Sequence, residues 1–371
     1  MGKVTGFIKS RIMVIIAWTL AIISMFFVPI DKEYLGYFDL STLACLSLTL
    51  LVVGAFSNIH TFEIVSRKIV SFLKNTRRMI LSVVFITYVG SMILANDMAL
   101  LTFLPLGWMS LKKSGQQKYT AFTFIMQNIA ANLGGMLTPF GNPQNLYLYS
   151  YYNISNSEFF GVMFPPFAIS LVIIFACCMF VRPEPLELRD TEEYSFNLKR
   201  TIIYSVLFVI SVLAVFRVFP WYYPLAFVSV AMLFLDVKAY LKVSYSLLLT
   251  FCAFFVFSGN VSRIDFIRDF LCSLTEKNTL LTGVVACQCI SNVPTAVLLS
   301  RFATDYRALL VAVNIGGVGT LISSLASLIT FSKYREVQKG KTLSYIGLFS
   351  AFNFSFLLLL TAAEYLFIYV L

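Results

Sequence analysis

The segment SMILANDMALLTFLPLGW, residues 91–108, is apolar except for Asn96 and Asp97 at its centre. As a straight membrane-spanning helix it would place an ionised carboxylate in hydrocarbon, at a cost of about 2.5–3.5 kcal/mol on insertion scales and more in simulation. One reading keeps the carboxyl neutral by desolvation or holds it as a local cap. The other makes it a cation ligand or proton carrier, the default for an ionisable group inside a membrane. The rest of the chain separates them.

The 371 residues are 59% hydrophobic and only 12% charged, against about a quarter charged in soluble proteins. Apolar runs long enough to cross a bilayer, about 20 residues each, recur from end to end and predict a polytopic membrane protein. The first run, Ile12 to Ile30, continues into Asp31-Lys32-Glu33 without a small-x-small cleavage site, so it reads as a retained helix. The net charge of +10 resides in loops between apolar runs, a topological pattern that argues against nucleic acid as partner. Seven cysteines lack metal-ligand spacing, and a lone His60 leaves no His-rich metal centre and little room for His catalysis. With no GxSxG, P-loop or paired-Cys motif, neither an enzyme nor a cofactor is expected.

Helices are expected near 12–30, 38–56, 79–107, 119–150, 163–181, 201–218, 222–240, 244–260, 279–300, 307–331 and 343–369, with amphipathic pieces at 57–75 and 261–277. A charged loop at 182–200 carries Glu184, Glu187, Asp190, Glu192 and Glu193. The order repeats: two helices, an amphipathic connector, an apolar segment with a polar tip, a Gly-rich interrupted helix, a closing helix. The tips are Asn96-Asp97 and Ser291-Asn292, and the interruptions are NLGGMLTPFGNPQN (132–145) and NIGGVGTLISS (314–324). The tip asparagines are 196 residues apart and the Asn-x-Gly-Gly starts 182 apart, while the intervals within each half are 36 and 22 residues. Paired interrupted helices in two halves are the mark of secondary transporters.

Loop charge decides whether the tip segments cross. If 79–107 and 279–300 enter and leave on one side, 21 of the 28 Lys and Arg residues face the cytoplasm and 7 face outside; if both cross, the split is 16 to 12. The positive-inside rule favours re-entrant hairpins. A straight helix of 29 residues would also reach roughly 43 Å, beyond the ~30 Å core. Four crossings per half and the odd helix 201–218 between them invert the second half. The expected fold is an all-α polytopic membrane protein of two inverted-topology repeats, 1–182 and 219–371, joined by 183–218, with the N-terminus in and the C-terminus out. Each repeat has a re-entrant hairpin and a discontinuous transmembrane helix.

Hairpin tips and helix breaks at membrane depth are tolerated only against protein or a water-filled cavity. Glycines at 134, 135, 141, 316, 317 and 319 permit unwound backbone, and Pro139 and Pro143 stop the helix. Freed helix N-termini favour an anion and freed carbonyls a cation. Asn96, Asn132, Asn142, Asn145, Ser291, Asn292, Thr295, Asn314 and Thr320 add neutral ligands. Close packing of small residues could explain one such motif; four in matched order favour a transport site. Arg301 and Arg307 flank the second tip segment as anion attractors or plain surface charges, and Glu364 is expected to reach the interface. Cys287 and Cys289 precede the second tip, where a thiophilic substrate could use them, although buried cysteines are common small hydrophobes.

ANDMALLTFLPL, NLGGMLTPFGNPQN, SNVPTAVLL and NIGG make the chain resemble the ion transporter superfamily, from helix 38–56 to the C-terminus. That group includes citrate transporters, divalent-anion/sodium symporters, arsenite permeases and a class of sodium/proton antiporters. The resemblance implies two opposed hairpins with substrate between their tips, cations held between each tip and the neighbouring break, an elevator-like motion, and a homodimer. It implies a substrate set of Asn96, Asp97, Asn142, Ser291, Asn292 and Thr295. The implied cation set is Asn96, Asp97, Asn132, Gly134, Gly135, Thr138, Asn292, Asn314, Gly316, Gly317 and Thr320, with Na⁺ or H⁺ as the coupling ion and no other metal. Dicarboxylate symporters typically have Ser-Asn-Thr at both tips. This chain has Ala95-Asn96-Asp97 and Ser291-Asn292-Val293, and the Asn-Asp tip is more similar to the arsenite-permease and antiporter branches. The expected function is secondary transport of a small anion (citrate, a dicarboxylate or an inorganic oxyanion) in a bacterial inner membrane. Sodium/proton antiport and arsenite or antimonite efflux are the alternatives.

Overall fold

The computed structural model describes residues 12–71, 73, 75–185 and 196–370. The basic N-terminal tail and the acidic residues Glu187, Asp190, Glu192 and Glu193 lie outside the described residues. Those described form sixteen α-helices and no sheet; an isolated bridge joins Asn75 to Pro185. They are α1 (Ile12–Met25), α2 (Leu40–Asn58), α3 (Thr61–Ser71), α4 (Thr76–Leu94), α5 (Asn96–Lys113), α6 (Thr120–Gly134), α7 (Pro143–Tyr151) and α8 (Asn156–Met179). The second half continues with α9 (Leu198–Val215), α10 (Tyr222–Leu235), α11 (Tyr245–Val261), α12 (Asp265–Ile290), α13 (Asn292–Leu299), α14 (Tyr306–Ile315), α15 (Leu325–Val337) and α16 (Thr342–Tyr369). Five of them, α2, α4, α8, α9 and α16, are each long and apolar enough to cross a membrane, and with the composition they make a polytopic membrane protein.

The segment expected at 79–107 is a larger pair, α4 and α5, broken at Ala95 and folded back on itself. Gln127 Nε2 clamps the two arms, donating to Thr87 Oγ1 (3.0 Å) and to the Phe103 carbonyl (2.9 Å), residues equally distant from the break. Gly90 makes the close approach: any side chain there would strike the Phe103 ring. Both ends of the pair carry charge, Arg77 and Arg78 at the start and Lys112 and Lys113 at the finish. The 29-residue expectation omits these charged ends because it follows apolarity alone.

In the second half α11 and α12 meet at a 100° bend. The expected boundary between amphipathic connector and tip segment is a break in α12 at Asn278, which has non-helical backbone (φ −166°, ψ 99°). Asn278 Oδ1 accepts from the Leu281 N–H at 2.7 Å, as Asn75 Oδ1 accepts from Arg78 N–H at 2.9 Å, so an asparagine opens the first arm of each pair. The second return arm, α13, has 8 residues against 18 in α5, which accounts for most of the shorter interval between tip and break in this half.

The two pairs interlock with the interrupted helices. The return arm α5 packs against α15 and the return arm α13 against α7, each on the far piece of the other half's interrupted helix. The helices α1, α2, α9, α10 and α11 form a second layer, through contacts of α1 with α11, α9 with α2 and α10 with α2.

Candidate functional site

The two tips are built alike. Ala95 (φ 59°, ψ 149°) and Ser291 (φ 77°, ψ 157°) both take a positive-φ extended conformation that L residues rarely adopt. Such backbone costs about 1–3 kcal/mol per residue and persists only where its surroundings enforce it. An asparagine follows each, and its own Oδ1 accepts from the next N–H at 2.9 Å: Asp97 in the first tip, Val293 in the second. No residue preceding α5 or α13 caps the helix by a side chain. In α13 the Asn292 N–H goes to the Ser323 carbonyl, the Val293 N–H to Asn292 Oδ1, and Pro294 has no N–H, so its first three positions leave no amide free.

The breaks match as well. Thr138 Oγ1 donates to the Met92 carbonyl (2.7 Å) and Thr320 Oγ1 to the Gln288 carbonyl (3.2 Å), each accepting residue three before its tip. Gly134 and Gly316 permit close passage of the first arms: a side chain on the former would strike the Tyr88 carbonyl, on the latter Cys287. Gly135 lies equally close to Asn142 Oδ1. Gly319, at φ +125°, requires glycine outright.

Between the tips lies a core of carboxamides. Asn96 Nδ2 donates to Asn132 Oδ1 at 3.3 Å. The second half is bonded differently. Asn314 is held by the first half: its Nδ2 donates to Asn145 Oδ1 (2.5 Å), and its Oδ1 accepts from Asn142 Nδ2 (3.2 Å) and Gln144 Nε2 (3.4 Å). The reason is compositional, because N-P-Q-N at 142–145 supplies carboxamides that the corresponding Ser324-Leu325 lacks. Asn292 instead donates its backbone N–H to the Ser323 carbonyl (2.9 Å). A Cβ on Gly317 would stand 3.0 Å from Asn292 Nδ2 and 3.4 Å from Asn132 Oδ1, so the two clusters meet there. Asn142 Oδ1 and Gln144 Oε1 are buried acceptors without a donor. Unfilled neutral oxygens suit a hard monovalent cation better than a soft metal.

A cavity of about 390 Å³ opens beside this core. Asn96, Asp97, Ser291 and Asn292 line it, as do Pro143 and Leu325, the first residues of α7 and α15. Four helix N-termini therefore reach one cavity, each equivalent to roughly half a positive charge. Among the described residues Asp97 is the only ionisable side chain in the lining, which holds no Lys, Arg or Cys. Two expected substrate residues lie behind the lining: Asn142 in the carboxamide core, and Thr295, whose Oγ1 donates to the Ser291 carbonyl (2.8 Å). Cys287 is fully buried against Gly316.

Sequence reasoning missed Ser244, Ser246 and Thr250, which line the cavity from α11 and the residue before it, and Ser332 on α15. They belong to no motif. Gln288 was also missed, although a lone polar residue in VVACQCI marks it. Its Nε2 donates to the Gly316 carbonyl (2.9 Å) and its Oε1 accepts from Thr320 N–H (2.8 Å), stitching the second break to its tip. Glu364 departs from expectation: it is 2% exposed, turned inward on α16, and its Oε1 has no partner. It continues the inward face of Asn353, Phe356, Leu357 and Leu360, and helical periodicity overrides the charge.

The model of a family described as citrate transporter, CitMHS, matches residues 4–307. An uncharacterized transporter of Methanocaldococcus jannaschii is 31% identical over 296 residues, covering 78% of this chain and 79% of that protein. The inner membrane protein YbiR of Escherichia coli is 29% identical over 311 residues, covering 82% of each. The match spans α1 to the start of α14 and so includes both tips and the whole first break. By this match the chain belongs to the CitMHS citrate transporter family of membrane transport proteins.

Proposed function

We propose that the protein moves a small anion (citrate, a dicarboxylate or an inorganic oxyanion) across the membrane, coupled to Na⁺ or H⁺. The observation that carries this is the convergence of four helix N-termini on one cavity, α15 among them being capped by Ser324 Oγ, which accepts from Ser327 N–H (3.2 Å). The positive ends of these helix dipoles favour an anion there without a basic side chain. The neutral oxygens behind them, with Asp97, take the coupling cation, and no other cofactor is needed. The pairs α4–α5 and α12–α13 are re-entrant hairpins of two inverted repeats, 1–182 and 219–371. The layer α1, α2, α9–α11 is a scaffold, dimeric by family resemblance, against which the rest moves like an elevator.

The cavity's lining includes Val14, Ser244 and Ser246, near the starts of α1 and α11, helix ends that the charge count places in the cytoplasm. On the other side Arg217, after α9, donates to Asn153 Oδ1 (2.5 Å) and to the Tyr149 carbonyl, closing scaffold onto moving part. In the proposed topology this reads as an inward-open conformation. A second reading, sodium/proton antiport, is favoured by one fact: the only ionisable group in the lining is an acid. Thermal stabilisation in detergent distinguishes them. Anion transport predicts stabilisation by citrate, a dicarboxylate or an oxyanion in the presence of the coupling cation. Antiport predicts stabilisation by Na⁺ alone and none by any anion.

A further inference from the structure

Among the described residues the cavity has no basic side chain, yet an anion must be drawn to it from bulk water. The cations on the outer side of the proposed topology mostly have work already. Arg263 holds Asp31 (2.6 Å) and Glu33 (3.4 Å), Arg268 holds Asp265 (2.9 Å), and Arg307 holds Glu158 (2.6 Å). Arg301 differs. It follows Ser300 at the end of the α13 return arm, and among the described residues it makes no hydrogen bond and no ion pair. Its Nε is buried without a partner, in a side chain that is only partly buried overall. Nearby acids are committed elsewhere: Asp39 accepts from Thr42 (2.6 Å) and Asp305 caps α14 through Ala308 N–H (3.0 Å).

What Arg301 does touch is an aromatic ring. Its guanidinium lies 5.3 Å from the centroid of Tyr37, on the short helix Lys32–Tyr37 that links α1 to α2. Tyr37 is thereby shared, since its hydroxyl accepts from Arg263 at 3.0 Å. Tyr37 belongs to the scaffold side and Arg301 to the end of a moving arm. The contact therefore spans the boundary that an alternating-access motion opens. A cation–π contact satisfies part of the charge and leaves every N–H unfilled. A guanidinium fork without hydrogen bonds is matched in geometry to a carboxylate or an oxyanion.

We propose that Arg301 is an outer anion-receiving site: in the outward-open state it leaves Tyr37 and takes the anionic group of the substrate through a bidentate contact. On inward opening Tyr37 replaces the anion. The site takes carboxylates and tetrahedral oxyanions, not neutral solutes or cations. This inference rests on the proposed anion transport and on the outer placement of α13's end.

The test is sided flux in proteoliposomes with citrate, succinate, phosphate and sulfate as probes, comparing wild type with Arg301→Gln, Arg301→Lys and Tyr37→Leu. The expected result is a KM for anion presented on the outer face raised about 10-fold or more in Arg301→Gln, the loss of a charge-assisted contact of about 1.5–3 kcal/mol. Arg301→Lys is intermediate, and KM from the inner face is unchanged in both. Tyr37→Leu, which removes the ring but keeps the charge, leaves the outer KM unchanged or lowers it. If Arg301 only packs against Tyr37, then Arg301→Gln and Tyr37→Leu change flux alike from both faces, and the proposal is overturned. An unchanged outer KM in Arg301→Gln overturns it too. Wild type that moves none of the four anions sinks the proposed function itself and this inference with it. Should Arg301→Gln fail to fold, Arg301→Lys decides by the same outer-to-inner KM comparison.

Discussion

Gly317→Ala puts one methyl group where the carboxamide clusters of the two halves meet. Its Cβ would lie 3.0 Å from Asn292 Nδ2, 3.2 Å from the Asn314 carbonyl and 3.4 Å from Asn132 Oδ1. Contacts that short require the neighbours to yield by a few tenths of an ångström. Asn292 has little freedom, because its Oδ1 is already engaged by Val293 N–H at 2.9 Å. Driving it off its rotamer costs about 0.5–1.5 kcal/mol, and overpacking of a filled site typically about 1–3 kcal/mol. Borne by the substrate-bound geometry, the larger range weakens affinity about 5- to 150-fold. The assay is titration of the transported anion by thermal stabilisation in detergent, followed by counterflow in vesicles. Gly347→Ala is the control: it lies within α16 with nothing within 4 Å, so it leaves affinity alone and gains up to ~1 kcal/mol of helix propensity. A folded Gly317→Ala protein that binds within twofold of wild type would refute a single close-packed site shared by the two tips.

Cysteine introduced at positions 112–118, in a background without the seven native cysteines, should react with a membrane-impermeant reagent from the cytoplasmic side only; reaction from outside sinks the hairpin topology. Lys118 and Gln116 hold the Glu184 carboxyl below the usual glutamate range, Lys118 most strongly, with Nζ–Oε1 at 2.7 Å. A depressed carboxyl stabilises above its unfolded pKa and loses that contribution as pH falls through the folded value. The gap in melting temperature between wild type and Glu184→Gln should thus be full at neutral pH and close under acid conditions; a gap independent of pH contradicts this. Glu364→Met removes a buried carboxyl whose Oε1 has no partner, so it should raise stability by about 1 kcal/mol. A lower melting temperature would mean that Glu364 has a partner, such as water or an ion.

The architecture was legible where polarity interrupts apolar sequence. Asn96-Asp97 and Ser291-Asn292 lie at the two turns, and the break at Asn278 falls where amphipathic pattern gives way to an unbroken apolar run. The strained residues themselves, Ala95 and Ser291, were not legible, since neither is a type that favours positive φ; the packing around them enforces it. The α11 part of the cavity was hidden for another reason. Ser244, Ser246 and Thr250 are ordinary residues at a helix start, brought to the tips only by tertiary packing. Glu364 shows the converse error. A charge near a helix end suggests the interface, yet its register puts it among Phe356, Leu357 and Leu360 on the inward face. Asn314 bonds across to N-P-Q-N because the two breaks differ in composition, which repeat symmetry alone does not convey.

The most direct test is a flux panel in proteoliposomes comparing wild type with Asp97→Asn under imposed Na⁺ or H⁺ gradients. Citrate, dicarboxylates, inorganic oxyanions and arsenite are the candidate substrates. The account predicts that wild type accumulates an anion against its gradient only when one cation gradient is imposed. It also predicts that Asp97→Asn, which keeps the shape of the cavity but removes its only ionisable group, loses that ion dependence. Flux and ion dependence both untouched by the substitution would contradict it.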